Sequence, residues 1–172
     1  MAGRRKVLPL LGVIAACLPA AGCVQGAAGL TDEILTASIA SASRPYSTKD
    51  RDCLARAMFF ESNRSSREGM LAVGTVVMNR VSSEKYPGTV CGVVGQKGQF
   101  APGVLSRPMN SKGFAEAERA AADVLGGERH SAVREAMFFH QAGLKFPYNN
   151  MHYVLEAGGN AFYEKRSRRR AK

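Results

Sequence analysis

Residues 53–81 read CLARAMFFESNRSSREGMLAVGTVVMNRV, and apolar residues recur through this segment at intervals of three and four. That spacing places them on one face of an α-helix, where they can be buried together. We therefore predict a first helix that begins near Thr48 or Asp50 and includes Glu61. A second helix is predicted to run to about Arg80.

The other element boundaries are marked by short local signals. Ser65 and Glu68 have the spacing of a capping box, which would start the second helix. A third helix is predicted over 113–125, with Ser111 as its cap and two glycines after its end. This order predicts a compact α+β domain over 48–163, with helices first and a small antiparallel sheet late. The β-like segments lie at 136–139, 152–155 and 160–163.

The basic charge of the chain is concentrated at its ends. The 172 residues include 24 Lys and Arg against 14 Asp and Glu, a net charge of +10. Three of these charges lie in 1–22 and five in 164–172, so the body is nearly neutral. A nucleic-acid-binding domain usually spreads its basic residues over one face, and we expect no nucleic-acid partner. The basic tail, 164–172, is expected to contact an anionic wall or membrane surface; an unstructured solubilising end is the alternative.

The first 22 residues have the order of a bacterial export signal. Basic residues precede a short apolar run, which is followed by small residues and Cys23. This predicts export to the periplasm, with 23–47 as a flexible tether. The residues before Cys23 resemble a lipobox, so Cys23 is a candidate for lipidation and membrane anchoring. Simple cleavage near Ala21 or Ala28, without a lipid, is the alternative.

The remaining cysteines and the histidines bear on disulfides and metals. Cys53 and Cys91 form an even pair suited to an oxidising compartment, but two unbonded thiols fit their spacing equally well. No CxxC motif exists, and His130, His140 and His152 are too widely spaced for a compact metal motif. We expect no metal and no cofactor.

Glu61 is the residue that most suggests chemistry. It follows Phe59 and Phe60 at the end of the first predicted helix. Apolar surroundings disfavour the charged form of a carboxyl group and raise its pKa, as a general acid near neutral pH requires. The alternative is that Glu61 points to water while the two rings point inward. This segment alone leaves both interpretations open.

A series of short motifs, in order along about 50–163, resembles the SleB/CwlJ-type cell wall hydrolase family. The resemblance implies a lysozyme-like, lytic-transglycosylase-like α+β fold and cleavage of peptidoglycan glycan strands, with Glu61 as the catalytic acid. The matching residues are Cys53-Leu54-Ala55, Phe60-Glu61, Glu68-Gly69, Ala72-Val73, Asn79-Arg80-Val81, Tyr86-Pro87, Thr89-Val90-Cys91-Gly92-Val93-Val94, Gln99-Phe100, Ala136-Met137-Phe138-Phe139-His140 and Gly158-Gly159-Asn160-Ala161-Phe162-Tyr163.

The resemblance also implies substrate-binding positions. Gln99 and Phe100 match an element expected to line the groove, where Gln99 would bond an acetamido group. His140, Asn160 and Tyr163 are the further candidates for contact with sugar. For Phe100 and Tyr163 a place in the core is the alternative, and for His140 a place on the surface.

By this resemblance, the reaction is that of a lytic transglycosylase at the bond from N-acetylmuramic acid to N-acetylglucosamine. The chain departs from the family pattern in residues 62–66, at Ala101, where Ser is common, and at Asn160, where His is usual. These departures keep a non-catalytic peptidoglycan-binding or scaffold protein as an alternative. An N-acetylmuramoyl-L-alanine amidase is a second alternative, which the histidine spacing disfavours.

Overall fold

Four helices precede a small sheet along the chain, as a computed structural model shows; it describes residues 46–63, 66–109 and 112–167. The α+β prediction, with helices first and an antiparallel sheet late, is confirmed. None of the helices in the described ranges is long and apolar enough to cross a membrane. The helices are α1 (Thr48–Glu61), α2 (Arg67–Val81), α3 (Val90–Val94) and α4 (Phe114–Leu125), followed by a 3₁₀ turn (Ser131–Val133) and the strands β1 (Phe138–Gln141), β2 (Met151–Ala157) and β3 (Asn160–Lys165).

The helix α1 begins at Thr48, as predicted, and its cap is Ser47 rather than Thr48 or Asp50. The Asp50 amide donates to the Ser47 hydroxyl at 3.1 Å, and the Ser47 amide donates to the Asp50 carboxylate at 3.1 Å. Asp50 is thus the acidic partner of a capping box, and two amides at the start of the helix are satisfied. The helix therefore begins directly after the segment predicted to be a tether, and its cap is the last residue of that segment.

The start of α2 also differs from its prediction. Its cap is Ser66, whose hydroxyl accepts from the Gly69 amide at 3.0 Å, and Ser65 lies outside the described residues. Gly69 has no side chain to reach back to the cap, so the predicted capping box is wrong. The Glu68 carboxylate instead lies 3.5 Å from the imidazole of His130.

Other predictions also fall outside the described ranges. They are the export signal of 1–22, the lipidation candidate Cys23, the tether up to residue 45, Ser111 and the tail from 168. The residue at the N-cap of α4 is Gly113, which makes no side-chain bond to the helix.

The core forms where α1, α2 and α4 meet. Gly74 lets α2 pack closely on α1 and α4, because a Cβ at this position would lie 2.1 Å from the Met58 methyl group and 3.2 Å from the side chain of Val124. A disulfide joins Cys53 of α1 to Cys91 of α3, with a Cα–Cα distance of 5.3 Å. The structure thereby answers the question that their spacing left open.

The sheet has the order β1-β3-β2, and both pairings are antiparallel. Phe162 is fully buried and pairs with Phe139, so one face of the sheet covers the helical core. Tyr163, on the opposite face, pairs with Phe138 and with Tyr153. This alternation of faces places two different sets of aromatic residues on the two sides of the sheet.

The segment before β1 is tied to the end of α2 by Asn79. Its side-chain amide donates to the carbonyl oxygens of Arg134 and Ala136 at 2.8 and 2.9 Å. Asn79 therefore bridges backbone groups, a structural role that fixes where the edge strand enters the sheet.

Candidate active site

Glu61 is the last residue of α1, at a point where the chain turns sharply. The Ser62 amide and hydroxyl both donate to the Met58 carbonyl, at 3.1 and 2.6 Å, and close the last turn of the helix. Asn63 then has a φ of 59°, in the left-handed region, which reverses the chain direction. The local sequence thus fixes the end of the helix at the proposed acid.

The turn between β2 and β3 packs directly on the start of α2. A Cβ on Gly69 would lie 2.5 Å from the Cα of Gly158, and Gly158 itself has a φ of 57°. Only glycine at both positions allows this approach of backbone to backbone. The contact places Asn160 beside α1, where its side-chain amide donates to the backbone carbonyl of Glu61.

The carboxyl group of Glu61 is partly buried and holds one strong hydrogen bond. The Ala101 amide donates to its Oε1 at 2.7 Å. Burial raises the pKa of Glu61 above its usual value, although the Ala101 bond and the charges of Arg107 and Arg80 act in the opposite direction. This environment suits a group that must hold a proton near neutral pH, and it favours the general-acid interpretation over a solvated charge.

Glu61 faces a cleft of about 800 Å³ between the helical part and the sheet. Among the described residues that line it, Glu61 is the only acidic one. Three rings and several polar side chains surround it, which is the usual mixture in a site that binds a polar ligand. The lining residues are Phe60, Glu61, Asn63, Gly98, Gln99, Phe100, Phe139, His140, Gln141, Gly158, Gly159 and Asn160.

Four of the five predicted substrate-binding residues lie in this cleft. Gln99 is exposed there, whereas Phe100 is only 9% exposed and packs against Phe139, with their ring centroids 6.2 Å apart. Phe100 therefore anchors its loop in the core while it lines the cleft. Asn160 is also buried, and its amide is engaged by Glu61.

His140 lines the cleft with both ring nitrogens occupied. Its Nδ1 lies 2.8 Å from the carbonyl oxygen of Gln141, and its Nε2 lies 2.9 Å from the hydroxyl of Tyr153. Because a carbonyl oxygen only accepts, Nδ1 carries a proton and the Nε2 of neutral His140 accepts from Tyr153.

Tyr163 is the predicted site residue that does not line the cleft. It is buried on the outer face of the sheet, where its ring stacks on Phe138 at 5.5 Å and lies 5.6 Å from those of His140 and Tyr153. Burial raises the pKa of Tyr163, and the neighbouring Tyr153 raises it further. Tyr163 therefore packs against the ring of His140 without lining the cleft itself.

The sequence prediction did not include several groups that shape the site. The backbone amide of Ala101 holds the acid, and any residue except proline supplies such a group. The departure from Ser at this position therefore leaves that bond intact. Arg107 lies over the ring of Phe60 at 4.2 Å, and Arg80 lies over Phe100 at 5.4 Å. A cation beside an aromatic wall of the cleft is a signal that only the fold reveals.

No group of three or more metal-ligating side chains comes together in the described part of the chain. The three histidines lie in separate places, with His130 beside Glu68, His140 in the cleft and His152 on β2.

Comparisons with known proteins agree on one family of enzymes. A family model described as "Cell Wall Hydrolase" matches residues 64–163, a match that begins three residues after Glu61. Two solved structures also resemble the chain: the catalytic domain of the Bacillus cereus SleB protein, and that of the germination-specific lytic transglycosylase SleB from Bacillus anthracis. Each match is 24% identical and covers 70% of this chain. The B. cereus match covers 94% of that structure with a TM-score of 0.59, and the B. anthracis match covers 98% with a TM-score of 0.58. No curated protein sequence matches the chain significantly.

Proposed function

The chain belongs to the cell wall hydrolase family, whose model matches more than half of its residues, and we propose that it cleaves peptidoglycan glycan strands as a lytic transglycosylase. The bond is the β-1,4 link from N-acetylmuramic acid to N-acetylglucosamine. The observation that carries the proposal is the carboxyl group of Glu61, which is the one acid among the described lining residues of the cleft, is partly buried and has a raised pKa.

Glu61 acts first as an acid and then as a base. Its proton passes to the glycosidic oxygen, the C1–O bond breaks, and N-acetylglucosamine leaves with a new hydroxyl group. The carboxylate then takes the proton of the muramic 6-hydroxyl, whose oxygen bonds to C1 and closes an anhydro ring. Atoms and protons balance without water, and Glu61 returns to its protonated form. A route with one carboxyl group is compatible with the absence of a second acid among the described lining residues, unlike the usual two-carboxylate glycosidase.

The neighbouring groups position the acid and the substrate. The Ala101 amide keeps one carboxyl oxygen fixed, which leaves the other free to face the scissile bond. Gln99 offers polar contacts to the sugars, and His140, whose ring nitrogens are both engaged, offers the surface of its ring. Phe100 and Asn160 form the inner wall, and Tyr163 packs against His140.

One experiment tests this proposal against its alternatives. Purified protein is incubated with intact sacculi, and the soluble products are identified by mass spectrometry. Anhydro-muropeptides that are absent with Glu61→Gln are the expected result. Reducing sugar ends would indicate ordinary hydrolysis, and free stem peptides would indicate an amidase. Binding without any product would indicate a scaffold protein, which the altered residues 62–66 and Asn160 keep as the alternative function.

The proposed setting is the periplasm. We infer export from 1–22, a tether over 23–47, membrane anchoring through a lipid on Cys23, and attraction of the tail 164–172 to anionic wall or membrane surfaces. Radiolabelled palmitate incorporated by the wild type but not by Cys23→Ala would support the anchor. Deletion of 166–172 should weaken binding to sacculi or anionic lipid at low salt. Salt screens charges beyond about 10 Å at 0.1 M, and their attraction reaches further when less salt is present. Unchanged binding would contradict the role of the tail.

A further inference from the structure

The loop between β1 and β2 and the first residues of β2 expose an unusual amount of aromatic surface. Phe146 is 41% exposed, Tyr148 64% and Tyr153 46%. Across the described residues, six large hydrophobic side chains are exposed, and four of them lie within 144–153. Exposure of apolar rings to water is unfavourable, so a cluster of exposed aromatic side chains indicates a binding surface.

These rings form one continuous surface, which we call the outer aromatic surface and define as His140, Phe146, Tyr148 and Tyr153. The rings of Phe146 and Tyr148 are nearly parallel, with 13° between their planes and 6.2 Å between centroids. The ring of His140 lies 4.7 Å from that of Phe146 and 5.5 Å from that of Tyr153. The bond between His140 and Tyr153 fixes their orientation.

The outer aromatic surface is continuous with the cleft through His140. The same side chain lines the cleft of Glu61 and contacts Phe146. A polymer held at Glu61 that leaves the cleft past His140 therefore reaches Phe146 and Tyr148 next.

We propose that the outer aromatic surface is a glycan subsite, which binds sugars of the same strand beyond those held at Glu61. This inference rests on the proposed function. A β-linked pyranose has equatorial substituents, so each of its faces is made of C–H groups, and these pack on the negative face of an aromatic ring.

The polar groups around the rings favour sugar over lipid as the occupant. Tyr148 carries a hydroxyl group, and the exposed Asn149 and Asn150 follow it in the loop. In a lipid core these groups would lose their hydrogen bonds to water at a cost of several kcal/mol, ~2–7 for each unpaired group. Along a sugar strand, hydroxyl and acetamido groups replace the water.

The test measures binding separately from cleavage. Glu61→Gln protein, expressed from the full chain, is titrated with long glycan strands stripped of stem peptides. We expect Tyr148→Ala and Phe146→Ala, each added to Glu61→Gln, to weaken binding by about five- to tenfold, the size of one aromatic contact. Tyr46→Ala is the matched control, because Tyr46 is 41% exposed but lies at the opposite end of α1 from Glu61. Its affinity should not change.

Several results would overturn the subsite. They are equal affinity in all the variants, no measurable binding by the parent, loss of binding to anionic phospholipid vesicles instead, or loss of self-association in a sedimentation experiment. The failure of the proposed function has a different signature: wild type that releases no anhydro-muropeptides from sacculi, whatever the affinities. Thermal melting of each variant checks that the exposed substitutions leave the fold intact.

Discussion

The two walls of the cleft are built in different ways. The helical wall, residues 60–63 and 98–100, consists of a helix end and a loop that meet around one buried carboxyl group. The sheet wall, residues 139–141 and 158–160, is the edge of a three-stranded sheet whose outer face is partly exposed. Under the proposed function, the helical wall supplies the proton chemistry, and the sheet wall, together with Gln99, binds the glycan strand. Substitutions on the two walls should therefore affect different measurements.

The largest expected effect is on the rate, from the helical wall. Glu61→Gln removes the proton donor while it keeps the size of the side chain, so cleavage should fall by roughly 10²–10⁴-fold. The release of soluble muropeptides from sacculi measures it. Glu156→Gln on β2 is the control, because this carboxylate is exposed and lies outside the cleft. A variant at Glu61 that retained full activity would remove the proposed division of roles.

The next effect concerns the stability of the helical side. The disulfide between Cys53 and Cys91 spans 38 residues, and its loss through paired substitutions to Ala should lower the free energy of unfolding by about 3–4 kcal/mol. Urea unfolding with and without a reductant measures it. The reductant should destabilise the wild type and leave the double variant unchanged. Equal wild-type stability under both conditions would mean that the bond contributes nothing.

The third effect concerns the contact between the start of α2 and the β2–β3 turn, which holds the two walls together. Gly69→Ala places a Cβ 2.5 Å from the Cα of Gly158. Because Gly158 is part of the backbone of the β2–β3 turn, relief of this clash would require the whole turn to shift. We expect a loss of about 1–3 kcal/mol of stability together with reduced cleavage. Gly88→Ala is the matched control, since a Cβ there would meet nothing within 4 Å. Similar melting temperatures for the two variants would argue against a close contact between Gly69 and Gly158.

A smaller effect is expected from a side-chain hydrogen bond that joins the two walls of the cleft. Asn160→Ala removes the donor to the Glu61 carbonyl and should cost about 1 kcal/mol of stability, with a modest fall in rate. Asn149→Ala in the exposed loop is the control for stability. Thermal unfolding and initial rates on the same preparations distinguish the bond from a general loss of fold.

The smallest effect is a dependence of stability on pH. Because burial raises the pKa of Glu61 when folded, the folded chain binds its proton more tightly than the unfolded chain. The wild type therefore loses stability as pH rises from the ordinary glutamate pKa, about 4.3, through the raised value. Glu61→Gln does not titrate there, so its melting temperature should exceed that of the wild type at neutral pH. The advantage should disappear near about pH 3.5, where both side chains are neutral; a constant difference would contradict it.

The helical half could be predicted from sequence further than the sheet could. The pattern over residues 53–81 is local, so α1 and α2 appear where the spacing puts them. The predicted caps differ from the observed ones, Ser47 and Ser66, because neighbouring serines and threonines offer the same hydroxyl group to the first amides of a helix. The edge strand begins at Phe138, two residues after the predicted start, since its position depends on the pairing of Gln141 with Asn160.

Glu61 could be proposed as the acid from the sequence, but its immediate surroundings could not. The two preceding aromatic residues alone leave an apolar and a solvated position open, and the resemblance to the family favours the first. The amide of Ala101 lies 40 positions away and carries no side-chain signal, so only the fold brings it to the carboxyl group. The same holds for Arg80 and Arg107, whose charges reach the cleft through tertiary packing.

The direction of α1 adds to the chemistry of its last residue. Peptide dipoles in a helix align and leave a partial negative charge at the C-terminal end, which is where Glu61 lies. That field disfavours an ionised carboxylate and so acts in the same direction as burial, which raises the pKa of Glu61. The amide of Asn160 pairs one of the carbonyl groups that the helix end leaves without a partner. An acid at the first turn of the same helix would experience the opposite field and would give up its proton more readily.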